Sequence, residues 1–449
     1  MLKIVGNAAS DCTGASRRNF LKAGALGGLS LAGLHRLQAE TQAIRRDTSV
    51  ILFWLSGGPG HMETWDPKPD AVDQFRGPFA SIRTRLPGVQ FGELMPETAR
   101  IADKLAILRG VNHGSGDHTK ANHWMLTGFE GPAFNVPDFM VQRRPSMGSA
   151  AAKLRGTNVA GMPAYSAVPH LRGGTDNFFH YAAYLGAAAN PFITEADPNL
   201  PNFRVRGLSL APELSFERLG DRRTVLDSLN QFQRSADRHA GSHDSHLRQA
   251  FDLLTSRPVA QAYEIGAEPD RIRDRYGRHT FGQSALLARR LVEAGVTFVT
   301  VNCVPWDHHA TAGRLPTREG SLQLIPPLDR AIAALVEDLI QRGLYEKTLV
   351  IAMGEFGRTP RMNPEGGRDH WGHAFSVLMA SGGMSMGQVV GRSTPRGEYV
   401  ADRPTSPQDV TATVFRHLGI DASKVFFHDA QSRPVALVES GEPIRELVG

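Results

Sequence analysis

The chain has 449 residues, 41% of them hydrophobic and 21% charged, with a formal net charge of +5. Lys3, Arg17, Arg18, Lys22 and Arg36 against Asp11 carry nearly all of that excess, so residues 40–449 are close to neutral and a general affinity for nucleic acid is excluded. Of the two cysteines, Cys12 falls in the same leading stretch and Cys303 stands alone, which excludes an internal disulfide, an iron–sulfur cluster and a Cys-rich zinc site.

The first element is an export signal. Ser16-Arg17-Arg18-Asn19-Phe20-Leu21-Lys22 sets paired arginines before a mild apolar run, Ala23 to Leu34, interrupted by glycines. That run is too short and too weakly hydrophobic for a stable membrane span and fits a twin-arginine signal. The expectation is a signal peptide over 1–43, with small residues at Ala39 and Ala43 for cleavage, recognised by the twin-arginine translocase. No Cys follows the apolar run, so no lipid anchor is indicated there. The mature protein, 44–449, is then expected to be periplasmic or secreted.

The mature region alternates short β-branched apolar runs with amphipathic helices. Strands are expected at Val50–Leu55, Leu105–Val111, Ala164–Val168, Val296–Val301, Thr348–Met353 and Phe375–Ala380. Ala285, Ala288 and Leu291 mark a helix stopped by Gly295. Leu328, Ile332, Leu335 and Leu339 mark another starting after Pro326-Pro327, and Val410, Val414 and Leu418 a third started by Ser406-Pro407. This is the pattern of an α/β fold, a mostly parallel sheet with helices on both faces. Residues 214–279, polar and without a clear strand, are expected to form a helical insertion over the core.

Chemistry concentrates beyond the carboxyl ends of those strands, the edge where ligands bind in open α/β sheets. His113, His118 and His123 follow the second strand; Asp307 and His309, in Trp306-Asp307-His308-His309, follow the fourth; Glu355 follows the fifth. Gly367-Arg368-Asp369-His370-Trp371-Gly372-His373 adds an acid and two imidazoles. Imidazoles mixed with carboxylates and no thiolate suit zinc, manganese or iron better than calcium. Arg358, in Glu355-Phe356-Gly357-Arg358-Thr359-Pro360, either grips an anionic ester or braces its own loop. Gly57-Gly58-Pro59-Gly60 allows close backbone approach to an anion. Gly383-Met384-Ser385-Met386-Gly387 matches G-x-S-x-G, yet residues 389–393, with a glycine and two valines, do not read as the helix a nucleophile elbow needs. No strand-G-x-G-x-x-G-helix fingerprint marks a redox enzyme.

Four stretches carry a resemblance to a bacterial family of exported proteins, domain of unknown function 1501. They are Gly57-Gly58-Pro59 leading to Thr64-Trp65-Asp66-Pro67-Lys68-Pro69, the segment from His118 to Gly128, Trp306-Asp307-His308-His309, and Glu355-Phe356-Gly357-Arg358-Thr359-Pro360 with Arg368-Asp369-His370-Trp371. That family is similar in fold to the alkaline phosphatase and sulfatase superfamily, which implies a three-layer α/β/α sandwich with one or two metals. The sequence departs from the sulfatase pattern in three places. Leu126-Thr127-Gly128 matches the end of the sulfatase string, but His118 occupies the nucleophile slot. Asn122 stands where the pattern has Arg, and Ser56-Gly57 stand where the first strand normally ends in a metal-binding acid, so that Glu63 or Asp66 would have to serve.

The function expected is an exported metal-dependent hydrolase of phosphate or sulfate esters, acting on a small anionic ester or a sulfated or phosphorylated glycan. The alternative is a non-catalytic protein that binds a metal or an anionic glycan on the same scaffold. The expected ligands are His118, His123, Asp307, His309, Glu355 and His370, for a divalent metal with zinc first and manganese or iron after it. Asp66, His113, Asp369 and His373 are second choices or orient the ligands. The attacking group would be a metal-held water or Thr119, with Arg358 on the ester.

Overall fold

The computed structural model describes residues 47–132, 141–171, 179–205, 208 and 256–449; the expected signal peptide lies outside them. Eight strands form one sheet: β1 (Ser49–Trp54), β2 (Ala106–Val111), β3 (Tyr165–Val168), β4 (Phe192–Ile193), β5 (Phe298–Asn302), β6 (Thr348–Met353), β7 (Phe375–Ala380) and β8 (Gln388–Val390). Their order is β8-β2-β7-β6-β1-β5-β3-β4. β1 pairs in parallel with β5 and β6, β3 with β4 and β5, and β2 with β8; β7 alone runs against both neighbours, β2 and β6.

The sheet is buried on both faces, and β1 shows how. Successive side chains point to opposite faces, so Ile51, Phe53 and Leu55 enter one core while Val50, Leu52 and Trp54 enter the other. On the first face lie Arg257–Tyr263 (α3), Thr280–Glu293 (α5) and Thr317–Gln341 (α6), with Asp270–Tyr276 (α4) packed beside the last two. On the second lie His118–Thr127 (α1), Met147–Arg155 (α2) and Pro407–His417 (α7). The result is the three-layer α/β/α sandwich expected from the sequence.

Two helices show what the sequence signals achieve. Ser406 and Asp409 form a reciprocal capping box at the start of α7, and Val410, Val414 and Leu418 along its inner stripe are fully buried; such side chains contribute about 1.5–3 kcal/mol each. α6 begins at Thr317, ahead of the start expected at Pro326-Pro327, and runs through both prolines. They remove two backbone donors, and burial of Ile325, Leu328 and Ile332 on one stripe carries the helix across. Of the expected insertion at 214–279, residues 256–279 are described, and there the chain forms α3 and α4. Gly383–Gly387 leads into the short strand β8, so it has no nucleophile-elbow geometry. No helix among the described residues is long and apolar enough to cross a membrane.

Three buried histidines set an acid limit on stability. Burial pushes His180 down to about 3, and among the described residues neither of its ring nitrogens has a partner. Burial likewise takes His123 down to about 4, and His61 to about 4 against the opposing charge of Asp66. An unfolded chain binds a proton at each below the ordinary value of 6.5, while the folded chain excludes it. Stability is therefore full above pH 6.5 and falls as pH drops toward 3. Each unit of depression is worth about 1.4 kcal/mol. His180→Phe should make that decline shallower in thermal melts taken across pH; an unchanged slope would remove His180 from the account.

Candidate metal centre

The site forms at the carboxyl edge of the sheet, from loops that follow β1, β2, β5 and β6 and the segment that precedes the antiparallel β7. The loop after β5 is tied to the turn after β1 by Trp306 N donating to Ser56 O (2.9 Å), and it projects Asp307. The loop after β2 is tied to the last segment by His113 and Gly114 N, both donating to Gly372 O (2.9 Å each), before α1 presents His118 in its first turn. His370 comes from a two-strand ribbon, Gly357–Arg358 paired with His370–Trp371.

Three donors meet there. His118, Asp307 and His370 each offer one ligand atom, and the three atoms lie within 4.8 Å of one another. His370 Nε2 is 3.1 Å and His118 Nε2 3.7 Å from Asp307 Oδ1. The other ring nitrogens are held from behind: His118 Nδ1 lies 2.7 Å from Glu355 Oε1, and His370 Nδ1 lies 3.0 Å from Gly116 O. Those partners fix the rings with Nε2 facing the common centre, as in carboxylate–histidine–metal arrangements. Phe356 closes the wall, its ring stacked on His370 at 4.7 Å and tilted against His118 at 4.8 Å.

The protonation states are those of metal ligands. Burial alone would raise the Asp307 carboxyl, but hydrogen bonds from His118 and His370 and the Arg358 guanidinium hold it far below the usual carboxylate range. Burial lowers His370, with Asp307 opposing, so both groups favour the forms that bind metal: carboxylate and neutral imidazole.

Other expected ligands fall elsewhere. Glu355 is fully buried and accepts from the Gly57 N–H through both oxygens (2.8 and 3.0 Å) as well as binding His118, so it orients a ligand. The anion that Gly57 approaches is thus the protein's own. A Cβ at Gly57, where φ is +106°, would sit 2.7 Å from Asp307 N, so only glycine allows that approach. His309 touches Asp307 Oδ2 through Nε2 (3.2 Å) and Thr311 through Nδ1 (2.7 Å), at the rim of the cluster. His123 does not join: its Nδ1 lies 2.8 Å from Phe129 O and its ring packs edge-on against Phe179. Asp66 is bound by Lys68 (2.9 Å) and Arg109 (3.4 Å), and Glu63 by Arg368 (2.8 Å), so neither replaces the missing acid after β1.

The remaining candidates are structural or peripheral. His113 Nε2 lies 2.7 Å from Glu355 O, and its ring stacks on Trp124, bracing the Glu355 loop. Asp369 is exposed and 3.3 Å from Asn363 Nδ2, and exposed His373 packs against Trp371 and Tyr399. Thr119 is 2% exposed, shielded from substrate. Arg358 takes the bracing role: 2% exposed, it donates to Gly57 O, Gly58 O, Trp306 O, Arg368 O and Asp307 Oδ1, so its guanidinium is committed to the protein's own groups.

The cation that does face the centre is Arg314, which no sequence pattern singles out. Its Nε is 3.4 Å from Asp307 Oδ2 and its side chain is 37% exposed. It lies in the loop after β5, five residues past His309, where Ala310 (φ 60°) and Ala312 (φ 52°) hold left-handed conformations. Such strained non-glycine residues cluster at functional loops.

The match to known proteins settles the family. A family described as "Protein of unknown function (DUF1501)" matches residues 47–448. The chain belongs to that family. No curated protein matches it. Solved structures similar to it include a sulfatase, PsFucS1, from Pseudoalteromonas sp., at 14% identity over 87% of this chain and 70% of that one, with a TM-score of 0.37. Another is the phosphonate monoester hydrolase of Agrobacterium radiobacter, at 14% identity over 83% and 74%, TM-score 0.35. A third is the lipoteichoic acid synthase LtaP from Listeria monocytogenes, at 9% identity over 83% and 72%, TM-score 0.38.

Proposed function

We propose that this family member is an exported, metal-dependent hydrolase of phosphate or sulfate esters. The observation that carries the reading is the meeting of His118, Asp307 and His370 within 4.8 Å, with each imidazole oriented from behind. That donor set fits a divalent cation, zinc first and manganese or iron after it, and three protein ligands are the number that catalytic zinc sites use. When bound, the cation supplies Lewis-acid polarisation of an ester oxygen. The chain's own groups do the rest. Arg314, partly exposed beside Asp307, holds the ester anion through charge-assisted hydrogen bonds. His309 at the rim is the side chain placed to move a proton, and Phe356 excludes water from behind the ligands. Water is the attacking group, because Thr119 is buried and His118 is turned into the cluster.

The burial of Thr119, the side chain expected to attack, also favours a second reading: a protein that binds a metal or an anionic glycan on this scaffold without turnover. Metal content of the purified mature protein, measured beside turnover of nitrophenyl phosphate and nitrophenyl sulfate, separates the two. The hydrolase reading expects chelator-sensitive turnover; stoichiometric metal without turnover of any ester favours the binding protein. Arg314→Ala should raise KM about tenfold, equivalent to about 1.4 kcal/mol of ester binding, with metal content unchanged. An unchanged KM would remove Arg314 from the ester site.

Export by the twin-arginine translocase, to the periplasm or beyond, belongs to the same proposal and rests on Arg17-Arg18. Replacing both by Lys should leave precursor in the cytoplasm, detected by cell fractionation; normal export of that variant would overturn the assignment.

A further inference from the structure

The ribbon that carries His370 has a second face. Arg358 and His370 pair across it and turn toward the metal centre. Side chains alternate along extended backbone, so Asp369 and Trp371 fall on the other side. A cavity of about 870 Å³ opens there, lined by those two residues together with Phe75, Arg361, Glu398 and Tyr399. The hydrolysis proposed above makes no use of it.

Its walls are aromatic and held in place. Trp371 Nε1 donates to Glu398 O (2.7 Å), which fixes both the indole and the turn that carries Glu398 and Tyr399. Tyr399 stands 53% exposed, its ring 5.8 Å from that of Trp371 at 60°. Phe75 supplies a further ring, backed by the Arg396 guanidinium at 5.2 Å. Large aromatic side chains left open over a cavity of this size are binding surface, since pockets for small ligands combine apolar walls with a few placed polar groups.

The polar groups indicate what enters. Two carboxylates, Asp369 and Glu398, face one guanidinium, Arg361, and counting Arg396 only brings the balance to zero. The cavity therefore lacks the positive excess that a sulfate or phosphate needs. Carboxylate oxygens, and the amide of Gln74 on the same wall, are acceptors and donors suited to neutral hydroxyls. Aromatic faces suit the C–H faces of a sugar ring.

We infer that this cavity binds an uncharged sugar unit of a glycan, at a site separate from the metal centre. The site stands whether or not the metal centre is catalytic. It is tested on the intact mature protein by calorimetric titration with neutral oligosaccharides of gluco, galacto and manno configuration, and with the sulfated form of the best binder. At least one neutral oligosaccharide should bind, and Tyr399→Ala should weaken it tenfold or more with metal content and melting temperature unchanged. Glu398→Gln should weaken it too, while Phe426→Ala, which removes an exposed aromatic outside the cavity, should not. Failure of every neutral oligosaccharide to bind would overturn the proposal. So would binding that ignores Tyr399→Ala, or tighter Tyr399-dependent binding of the sulfated form.

Discussion

Asp307→Asn should empty the metal centre and lower ester turnover at least about a thousandfold, the equivalent of about 4 kcal/mol in the barrier. Asp307 Oδ1 is the atom that His118 Nε2 and His370 Nε2 both approach, so among the described residues its charge is the only negative one in the donor cluster; Glu355 is committed to His118 and Gly57 N. Asparagine keeps the shape and a neutral acceptor for Arg358 Nη2, 2.8 Å away, so the fold should survive. Asp307→Ala goes further, because it takes away the acceptor of the buried Arg358 guanidinium as well as its counter-charge. Breaking a buried pair in this way costs about 3–5 kcal/mol, which urea titration would show as a lower midpoint. The two variants separate the roles: elemental analysis should find metal lost in both, and stability lost mainly in the alanine variant. Full metal occupancy with normal turnover in Asp307→Asn would remove the cluster from the function.

How legible each element was in the sequence depends on what its pattern requires. Strands such as Thr348–Met353 stand out because a sheet buried on both faces needs continuous apolar runs, and the observed bounds match the expected ones. Phe192–Ile193 and Gln388–Val390 are too short to carry such a run, and no pattern marks them. In the site, Asp307 was legible as a chemistry-bearing residue beyond a strand end and His370 as one of the imidazoles in the Gly367–His373 string, but roles depended on facing. His118 and His123 lie five positions apart on one helix, a rotation of about 140° at 3.6 residues per turn. One therefore faces the cluster while the other packs on Phe179. Arg358 and Arg314 exchanged roles for a reason only tertiary contacts reveal: the turn at Gly57-Gly58 presents carbonyls that consume the first guanidinium, and the second remains partly exposed.

Arg368→Ala should cost about 3–5 kcal/mol of stability and also weaken metal binding, although Arg368 touches no metal donor. It is fully buried, with Nε 2.8 Å from Glu63 Oε1, Nη1 on Thr359 O (3.0 Å) and Pro360 O, and Nη2 on Phe75 O (2.8 Å). Its backbone N–H donates to His308 O at 3.1 Å, which joins the segment before His370 to the loop that holds Asp307. Truncation strands the Glu63 carboxylate in the interior and frees three carbonyls, so the segment two residues before His370 loses its anchor. Loss of a residue that orients a metal ligand typically lowers affinity 10–100-fold, measurable by competition with a chelator of known affinity. The double variant Glu63→Gln with Arg368→Met removes both charges while keeping volume, and should recover much of the stability because no buried charge is left unpaired. It should not recover the metal affinity, since methionine holds no carbonyl. If Arg368→Ala kept both the melting temperature and the metal affinity of the parent, the anchoring role would be wrong. If the double variant restored affinity along with stability, Arg368 would act on the metal only through the fold.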